Sequence, residues 1–287
     1  MSTAHDAVPM TAGSLADVVE VLAGHRLAVL TGAGVSTDSG IPDYRGPDSP
    51  PRTPMTFQQF TSDEAFRRHY WARNHVGWRH VHRTMPNAGH RALAALEHRG
   101  VVTGLITQNV DLLHEAAGSR HVIDLHGRYD RVRCLSCGTV ISRAELADRL
   151  DTLNPGFTAA VADIEIAPDA DAVIEQTSGF VVAACSACGG MLKPDIVYFG
   201  ENVPRERVER AYALVDGADA LLVAGSSLSV QSGLRFVRHA AQTGKPVVVV
   251  NRGATRGDKY AAVTLDAGTS ETLTDLAETL PTPAQSR

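Results

Sequence analysis

Thr31-Gly-Ala-Gly-Val-Ser-Thr-Asp-Ser-Gly-Ile-Pro-Asp-Tyr-Arg45 follows directly on the apolar run Arg26–Thr31. Small residues at the end of a strand let the main chain approach a phosphate, and a helix start beyond them offers free N–H groups. The stretch departs from the G-x-G-x-x-G fingerprint: its third glycine falls at Gly40, not at position 37. No acidic residue follows on an evident second strand to hold a ribose. Taken alone, these residues also suit a tight strand-to-helix turn with no ligand.

Outward from this turn, short β-branched runs alternate with longer amphipathic stretches. Strands are expected at Arg26–Thr31, Val101–Thr107, His121–Leu125, Asp195–Phe199, Ala220–Ala224, Pro246–Val250 and Ala262–Asp266. Several are continuous apolar runs, as a parallel strand covered on both faces requires. Helices are expected at Leu15–Ala23, Ala88–His98, Pro204–Asp216, Val230–Thr243 and Ser270–Leu280, with Pro204 and Gly217 as start and stop signals. This alternation predicts an α/β fold, a doubly wound, Rossmann-like parallel sheet. Two segments break the rhythm. Proline-rich Gly46–Pro54 leads into Phe57–Trp78, which concentrates aromatics, both tryptophans among them, together with Arg67, Arg68 and Arg73, and reads as a helical excursion. Arg131–Met191 is bracketed by cysteine pairs around an acidic middle, Asp163–Glu175, and reads as a smaller inserted domain. The expected layout is a main domain over 12–46, 80–130 and 192–280, an excursion over 47–79 and an insert over 131–191.

The composition narrows the function. Of 287 residues, 44% are hydrophobic and 21% charged, ordinary values for a globular chain. A net charge of −5 leaves no cationic field for gripping nucleic acid or anionic lipid, so no direct nucleic acid binding is expected. No apolar run reaches the roughly 18–20 residues that span a bilayer. No signal peptide is expected at the amino-terminal stretch, which offers no basic segment followed by an apolar core, and no Arg-rich transit peptide, since Asp6, Asp17 and Glu20 precede Arg26. A cytoplasmic protein with no membrane partner is expected, and its oligomeric state is left open.

All 4 cysteines fall in two knuckles, Cys134-x2-Cys137 and Cys185-x2-Cys188, each followed by glycine, with 47 residues between them. Four paired thiolates suit one tetrahedral Zn²⁺, a closed and therefore structural site. Two redox dithiols, or plain core cysteines, are the alternatives. Further polar residues stand at expected strand ends. Thr107-Gln-Asn-Val-Asp-Leu-Leu-His-Glu-Ala-Ala-Gly118 puts Gln108, Asn109 and Asp111 where α/β sheets bind ligands. Asp124-Leu-His-Gly127 places His126 just before the insert, though a single histidine among 12 is as readily structural. Gly225-Ser-Ser-Leu-Ser-Val230 and Val250-Asn-Arg-Gly253 suit ribose or phosphate contacts, or are ordinary loops.

Together these segments resemble the sirtuins, the NAD-dependent protein deacylases. Gly32–Arg45, Thr107–Gly118 with Asp124–Gly127, the cysteine pairs and Lys193-Pro-Asp-Ile-Val-Tyr-Phe-Gly-Glu201 match in order, followed by Gly225–Val230. Tyr70-Trp-Ala-Arg-Asn-His-Val-Gly-Trp78, the long insert and Asn251-Arg-Gly-Ala-Thr-Arg-Gly-Asp258 resemble the branch of the mitochondrial lipoamidase-type sirtuin and its bacterial relatives. The resemblance implies that Gly32, Ala33 and Gly34 face the NAD pyrophosphate. It implies that Ser36, Ile41, Asp43, Asn109, Val110 and Asp111 wall the nicotinamide pocket. Gln108 and Ser226 would stand near the riboses and phosphates, Asn251 near the adenosine ribose and Thr269 over the adenine. Thr37, Pro42, Tyr44, Arg45, Gly225, Ser227, Arg252 and Gly253 complete the implied cofactor set. An acyl-lysine substrate would dock as a strand on Val197, Tyr198, Phe199 and Gly200.

The implied reaction removes an acyl group from a protein lysine and yields nicotinamide and O-acyl-ADP-ribose. The acyl oxygen attacks the ribose as nicotinamide leaves, forming an alkylamidate. His126 then acts as general base on a ribose hydroxyl. Mono-ADP-ribosyl transfer to a protein needs the same pocket and is the alternative activity. A zinc module that merely senses NAD would dispense with Asn109, Asp111 and His126. A dehydrogenase would need the missing dinucleotide fingerprint.

Overall fold

The computed structural model describes residues 13–43, 54–157 and 177–284. Tyr44, Arg45, most of the proline-rich tract and the acidic segment Asp163–Glu175 lie outside them. Six parallel strands form the main sheet: β1 (Leu27–Thr31), β2 (Val102–Thr107), β3 (Val122–Asp124), β7 (Ala220–Ala224), β8 (Val247–Val250) and β9 (Val263–Leu265). Their order is β3-β2-β1-β7-β8-β9. The chain therefore winds outward in one direction from β1 and in the other from β7, and the switch point lies between these two strands.

Both faces of the sheet are covered, which is why its central strands are apolar throughout. On one face, α1 (Leu15–Leu22), α4 (Ala88–His98) and α9 (Thr269–Thr279) pack Val18, Leu93 and Leu273 against Val29, Leu105 and Leu222. On the other, α7 (Arg205–Gly217) and α8 (Gln231–Gln242) pack Val215, Phe236 and Val237 against Leu30, Ile106 and Val223. Alternate residues of one strand thus enter two separate cores.

A second, three-stranded sheet stands apart, in the order β5-β4-β6, from β4 (Gly127–Cys134), β5 (Val140–Ser142) and β6 (Leu192–Ile196), all antiparallel. This corrects two expectations. The strand expected at Asp195–Phe199 begins at Leu192 and belongs to this sheet, not to the parallel one. The segments 127–130 and 192–196, assigned to the main domain, likewise serve the smaller sheet. Pro194 is accommodated because β6 is an edge strand. β5 leads into α6 (Arg143–Leu153), capped by Ser142 Oγ, which accepts the Glu145 N–H at 3.0 Å.

The aromatic excursion is helical, as expected: α2 (Phe57–Ser62), with a capping box between Thr56 and Gln59, and α3 (Glu64–Val81). It shares its core with the small sheet. Phe60, Tyr70, Trp71 and Trp78 pack with Tyr129, Val132, Leu150 and Leu192. The buried Arg143 guanidinium lies 5.6 Å from the Trp71 ring and 5.3 Å from that of Trp78, and its Nε donates to Asn74 Oδ1 at 3.1 Å. The molecule thus has two parts: a parallel sheet with a core on each face, and an aromatic module beside its carboxyl edge.

At the switch point the two lips nearly touch. The Gly34 N–H donates to the Gly225 carbonyl at 2.9 Å. Gly225 has φ +62°, and a Cβ there would lie 2.4 Å from Val35 N. Gly225→Ala is expected to lower stability by about 1–3 kcal/mol or more, left-handed strain being compounded by the clash. Gly24, with φ +77° and nothing within 4 Å of its Cβ, is the control for strain alone. Urea midpoints decide: equal losses at both positions would show that crowding of the lips is unimportant.

Candidate active site

The strand ends β1, β2, β3, β7 and β8 all open on one cleft of about 680 Å³, within the usual range of small-molecule sites. After β1 the chain makes two short 3₁₀ turns, Ala33–Val35 and Thr37–Ser39, closed by Gly40 at φ +85°. After β2, Asn109 and Asp111 fold back onto the first of these turns. Asn109 Nδ2 donates to Gly32 O and Ser36 Oγ, both at 3.1 Å. The Ser36 hydroxyl donates to Asp111 Oδ2 at 2.7 Å, and Asp111 Oδ1 accepts the Leu113 N–H at 3.0 Å. Leu112, between them, is held at φ +66°, a costly conformation for leucine. One polar lattice therefore joins the glycine turn to the Gln108–Asp111 loop. Burial pushes the Asp111 carboxyl above the usual range, while the bonds from Leu113 and Ser36 favour its charged form.

Behind this lattice lie two buried imidazoles with ring centres 4.8 Å apart, His90 and His114. Burial holds them neutral, with pKa values pushed down to about 4 and about 3. His114 Nε2 lies 2.9 Å from Thr31 Oγ1, which donates to Thr107 Oγ1 at 2.9 Å. Thr107 Oγ1 in turn accepts the Asn109 N–H at 3.1 Å.

His126 stands across the cleft. Its Nδ1 is 3.0 Å from the Gln108 carbonyl, and its Nε2 is 2.8 Å from Ser232 Oγ. Burial first, then the nearby Arg207 cation, lowers its pKa to about 4, against the opposing pull of the carbonyl. At neutral pH the ring is uncharged, the state a general base needs. The Gln108 side chain bridges the lips, donating to Thr31 O at 3.2 Å and Ser226 Oγ at 2.7 Å.

Of the residues expected to bind the cofactor, the cleft is lined by Gly32, Ala33, Gly34, Ser36, Ile41 and Asp43 from the first turn. It is also lined by Gln108, Asn109, Val110 and Asp111, and by Gly225, Ser226, Ser227, Asn251 and Arg252. Thr37, Pro42, Gly253 and Thr269 do not line it. Thr37 Oγ1 and Thr269 Oγ1 both donate to the Gly34 carbonyl at 3.1 Å, supporting the turn from behind. The Gly253 N–H is turned to Asp266 Oδ1 at 3.1 Å. Arg67, Arg68 and Arg73 are absent from the lining too. Arg67 donates to Phe60 O at 3.0 Å, Arg68 pairs with Glu64 at 2.7 Å, and Arg73 lies 3.0 Å from His69 Nε2.

The segment Val197–Gly200 forms the other wall. The Val197 N–H donates to His126 O at 2.7 Å, and Phe199 O accepts the Phe57 N–H at 2.9 Å. Buried Lys193 braces this wall, donating to Ile196 O and to Glu201 Oε2 at 3.0 Å beneath the Tyr198 ring. Ser229 and Val230, from the segment expected to suit ribose or phosphate contacts, line the cleft, and so do Gln231, Ser232 and Arg235, which sequence reasoning overlooked and which bring the start of α8 into the lining. The expected helix at Val230 was treated only as scaffold.

The four cysteine sulfurs lie within 4.8 Å of one another, with Cys134–Cys188 at 3.5 Å and Cys137–Cys185 at 3.8 Å. Tetrahedral ligands about 2.3 Å from one zinc stand about 3.8 Å apart, so these sulfurs fit a Zn²⁺. Each knuckle is closed by its glycine: Gly138 N–H to Cys134 O at 3.0 Å, and Gly189 N–H to Cys185 O at 2.8 Å. None of the four lines the cleft.

A sheet split at its switch point, with glycine turns on both lips, suits a dinucleotide, and a neutral imidazole faces the same cleft. The fold and cleft define a dinucleotide-binding type of α/β protein with a module suited to a structural metal. Its relatives place it more closely. The Sir2 family profile matches residues 32–232. The chain is 66% identical over 267 residues to NAD-dependent protein deacetylase 1 of Mycobacterium avium (strain 104), covering 92% of this chain and 95% of that protein. The crystal structure of a Sir2 homolog–NAD complex superposes with a TM-score of 0.73 at 31% identity, covering 96% of each chain. A Sir2 complex with a p53 peptide and NAD⁺ superposes at 0.69 with 28% identity, covering 93% of this chain and 98% of that one. The chain belongs to the Sir2 family. Among the described residues no helix is long and apolar enough to cross a membrane.

Proposed function

We propose that this protein removes acyl groups from protein lysines with NAD as co-substrate, releasing nicotinamide and O-acyl-ADP-ribose. The observation that carries the proposal is His126, a neutral imidazole whose Nε2 is turned toward a cleft floored by Gly32–Gly34. NAD supplies an electrophilic ribose carbon and a nicotinamide leaving group. The glycine turn gives main-chain access to the pyrophosphate. Asn109, Asp111 and Ser36, already locked to one another, hold the nicotinamide end and keep bulk water from the ribose. His126 accepts a proton from a ribose hydroxyl at Nε2. The wall Val197–Gly200 receives the acyl-lysine segment, and the relative's complex with a p53 peptide and NAD⁺ supports a peptide as the substrate. The cysteine cluster, held as thiolates around zinc, suits a reducing compartment, and we place the protein in the cytoplasm.

The test is incubation with NAD and a panel of acyl-lysine peptides, scoring nicotinamide release and peptide mass together. Free lysine peptide with O-acyl-ADP-ribose supports the reading. A protein or peptide gaining ADP-ribose while keeping its acyl group would overturn it in favour of ADP-ribosyl transfer. Asn109→Ala and Asp111→Asn are expected to lower nicotinamide release about 10- to 100-fold at subsaturating NAD, because each loosens the lattice that orients the leaving group. Their unfolding midpoints should confirm that the fold survives. Wild-type turnover by both variants would remove these residues from the pocket.

A further inference from the structure

Helix α8 reaches the imidazole that the reading above makes the base. Ser232 Oγ lies 2.8 Å from His126 Nε2, and the opposite ring nitrogen, Nδ1, lies 3.0 Å from the Gln108 carbonyl. A carbonyl oxygen only accepts, so on the neutral ring Nδ1 carries the hydrogen and Nε2 the lone pair. The Ser232 hydroxyl is then the donor to Nε2. Its side of the contact is fixed by packing. Ser232 is 9% exposed, and at the next position a Cβ on Gly233 would come 2.7 Å from Gln108 Oε1. The start of α8 is thus pressed against the same Gln108 that holds Nδ1. One contact surface, 108 against 232–233, grips both nitrogens of the ring.

We infer that Ser232 is a positioning residue for His126: its hydroxyl holds the imidazole in the Nδ1–H form with Nε2 as the acceptor facing the cleft, until a ribose hydroxyl takes its place there. This rests on the proposed deacylation, and it assigns a role to a serine that the motif resemblance passes over. No bond to Ser232 is made or broken in the reaction. When the ribose hydroxyl arrives, its proton passes to Nε2 and the ring becomes imidazolium, which the displaced serine oxygen can then help to hold.

Three Ser232 variants, His126→Ala and one spectrum test it. In ¹⁵N-labelled wild-type protein at neutral pH, the imidazole ¹⁵N resonances of His126, assigned by their loss in His126→Ala, should show Nδ1 protonated and Nε2 bare. Ser232→Ala should keep its unfolding midpoint, its KM for NAD and its nicotinamide exchange. Its deacylation kcat should fall about 3- to 10-fold, the worth of one neutral hydrogen bond. Ser232→Thr, which keeps the hydroxyl, should restore it. Ser232→Asp supplies an acceptor where a donor stood, at a helix start that tolerates aspartate. It should add a proton at Nε2 while the Gln108 carbonyl keeps the one on Nδ1, leaving a charged ring with no lone pair, and cost deacylation about 10²-fold or more, again with exchange preserved. An unchanged kcat with unchanged ¹⁵N shifts in Ser232→Ala would overturn the inference. So would a lowered midpoint with exchange and deacylation falling together, which would mark Ser232 as structural. Failure of the base assignment is told apart by His126→Ala: normal deacylation there removes the base, and with it the role of Ser232, whatever the spectrum shows.

Discussion

His126→Ala is expected to lose deacylation by about 10²–10⁴-fold while nicotinamide exchange into NAD survives. The geometry separates the two activities. Exchange would need the nicotinamide end proposed for Ser36, Asn109 and Asp111, and none of the bonds that join these residues involves the His126 ring. The ring is held instead by Gln108 O at Nδ1 and Ser232 Oγ at Nε2. Removing it deletes a proton acceptor and leaves the leaving-group pocket standing. The cost to stability should be small, since the ring packs in none of the three apolar cores. Thermal unfolding, zinc content, exchange and deacylation measured on one preparation decide the matter. A structural histidine would give a lowered midpoint with both activities declining in proportion, and a stable variant that deacylates normally would refute the role.

The pH profile follows from the same surroundings. Burial and Arg207 depress the His126 pKa to about 4 from an ordinary 6.5, so the ring is charged only below about pH 4 in the folded enzyme. The acid limb of kcat/KM due to this group should therefore lie well below that of an exposed histidine. A limb near pH 6.5 would show that the cleft is wetter than its geometry indicates.

Much of this arrangement was legible in the sequence where a single physical cause acted locally. Ala220–Ala224 reads as a strand because β7 is covered on both faces, leaving no polar position to interrupt the apolar run. Ala88–His98 reads as a helix because Asn87 caps it and its apolar residues recur at helical spacing. The cysteine pairs show themselves because a metal knuckle is a local turn. What escaped was decided by tertiary context. β4 has one face on a core and the other toward solvent, so Tyr129, Val132 and Cys134 alternate with Arg128, Asp130, Arg131 and Arg133. A search for continuous apolar runs passes over such a strand. Val197–Phe199 has strand composition, yet the Tyr198 N–H turns to Glu201 Oε2 at 3.0 Å and the Glu201 N–H to Tyr198 O at 3.0 Å, so the chain bends where a strand was expected. Thr37 and Thr269 belong to the cleft's motifs but meet behind it, because the Gly34 carbonyl needs partners on the side away from the ligand. Ser232 could not be read at all. Its meaning depends on a ring 106 positions earlier in the chain, brought to it by the packing of α8 on the end of β2.

Stripping zinc is expected to undo the aromatic module while the parallel sheet persists. Cys134 and Cys185 are themselves members of the module's core, beside Tyr129, Val132 and Leu192. The three strands and α6 between the second and third of them form too small a unit to be stable without a staple. Zinc held by such a set of thiolates contributes about 10–16 kcal/mol of apparent binding energy, most of it available only when the module is folded. The two cores of the main sheet share no buried residue with this third core, so they have no reason to fail with it. Both tryptophans of the chain, Trp71 and Trp78, lie in the module core against the Arg143 guanidinium. Their emission should shift to the red on strong chelation, while far-ultraviolet circular dichroism keeps most of its signal. Deacylation should vanish at the same time, because β6 carries the chain straight into the wall Val197–Gly200, and without the module that wall has no fixed place. Cys185→Ser should reproduce the chelated state, and elemental analysis of the wild type should give one zinc per chain. Absence of zinc from freshly purified protein, or unchanged tryptophan emission after the metal is removed, would contradict this. Activity lost with the emission unchanged would point instead to a metal at the cleft, which the placement of all four cysteines away from it argues against.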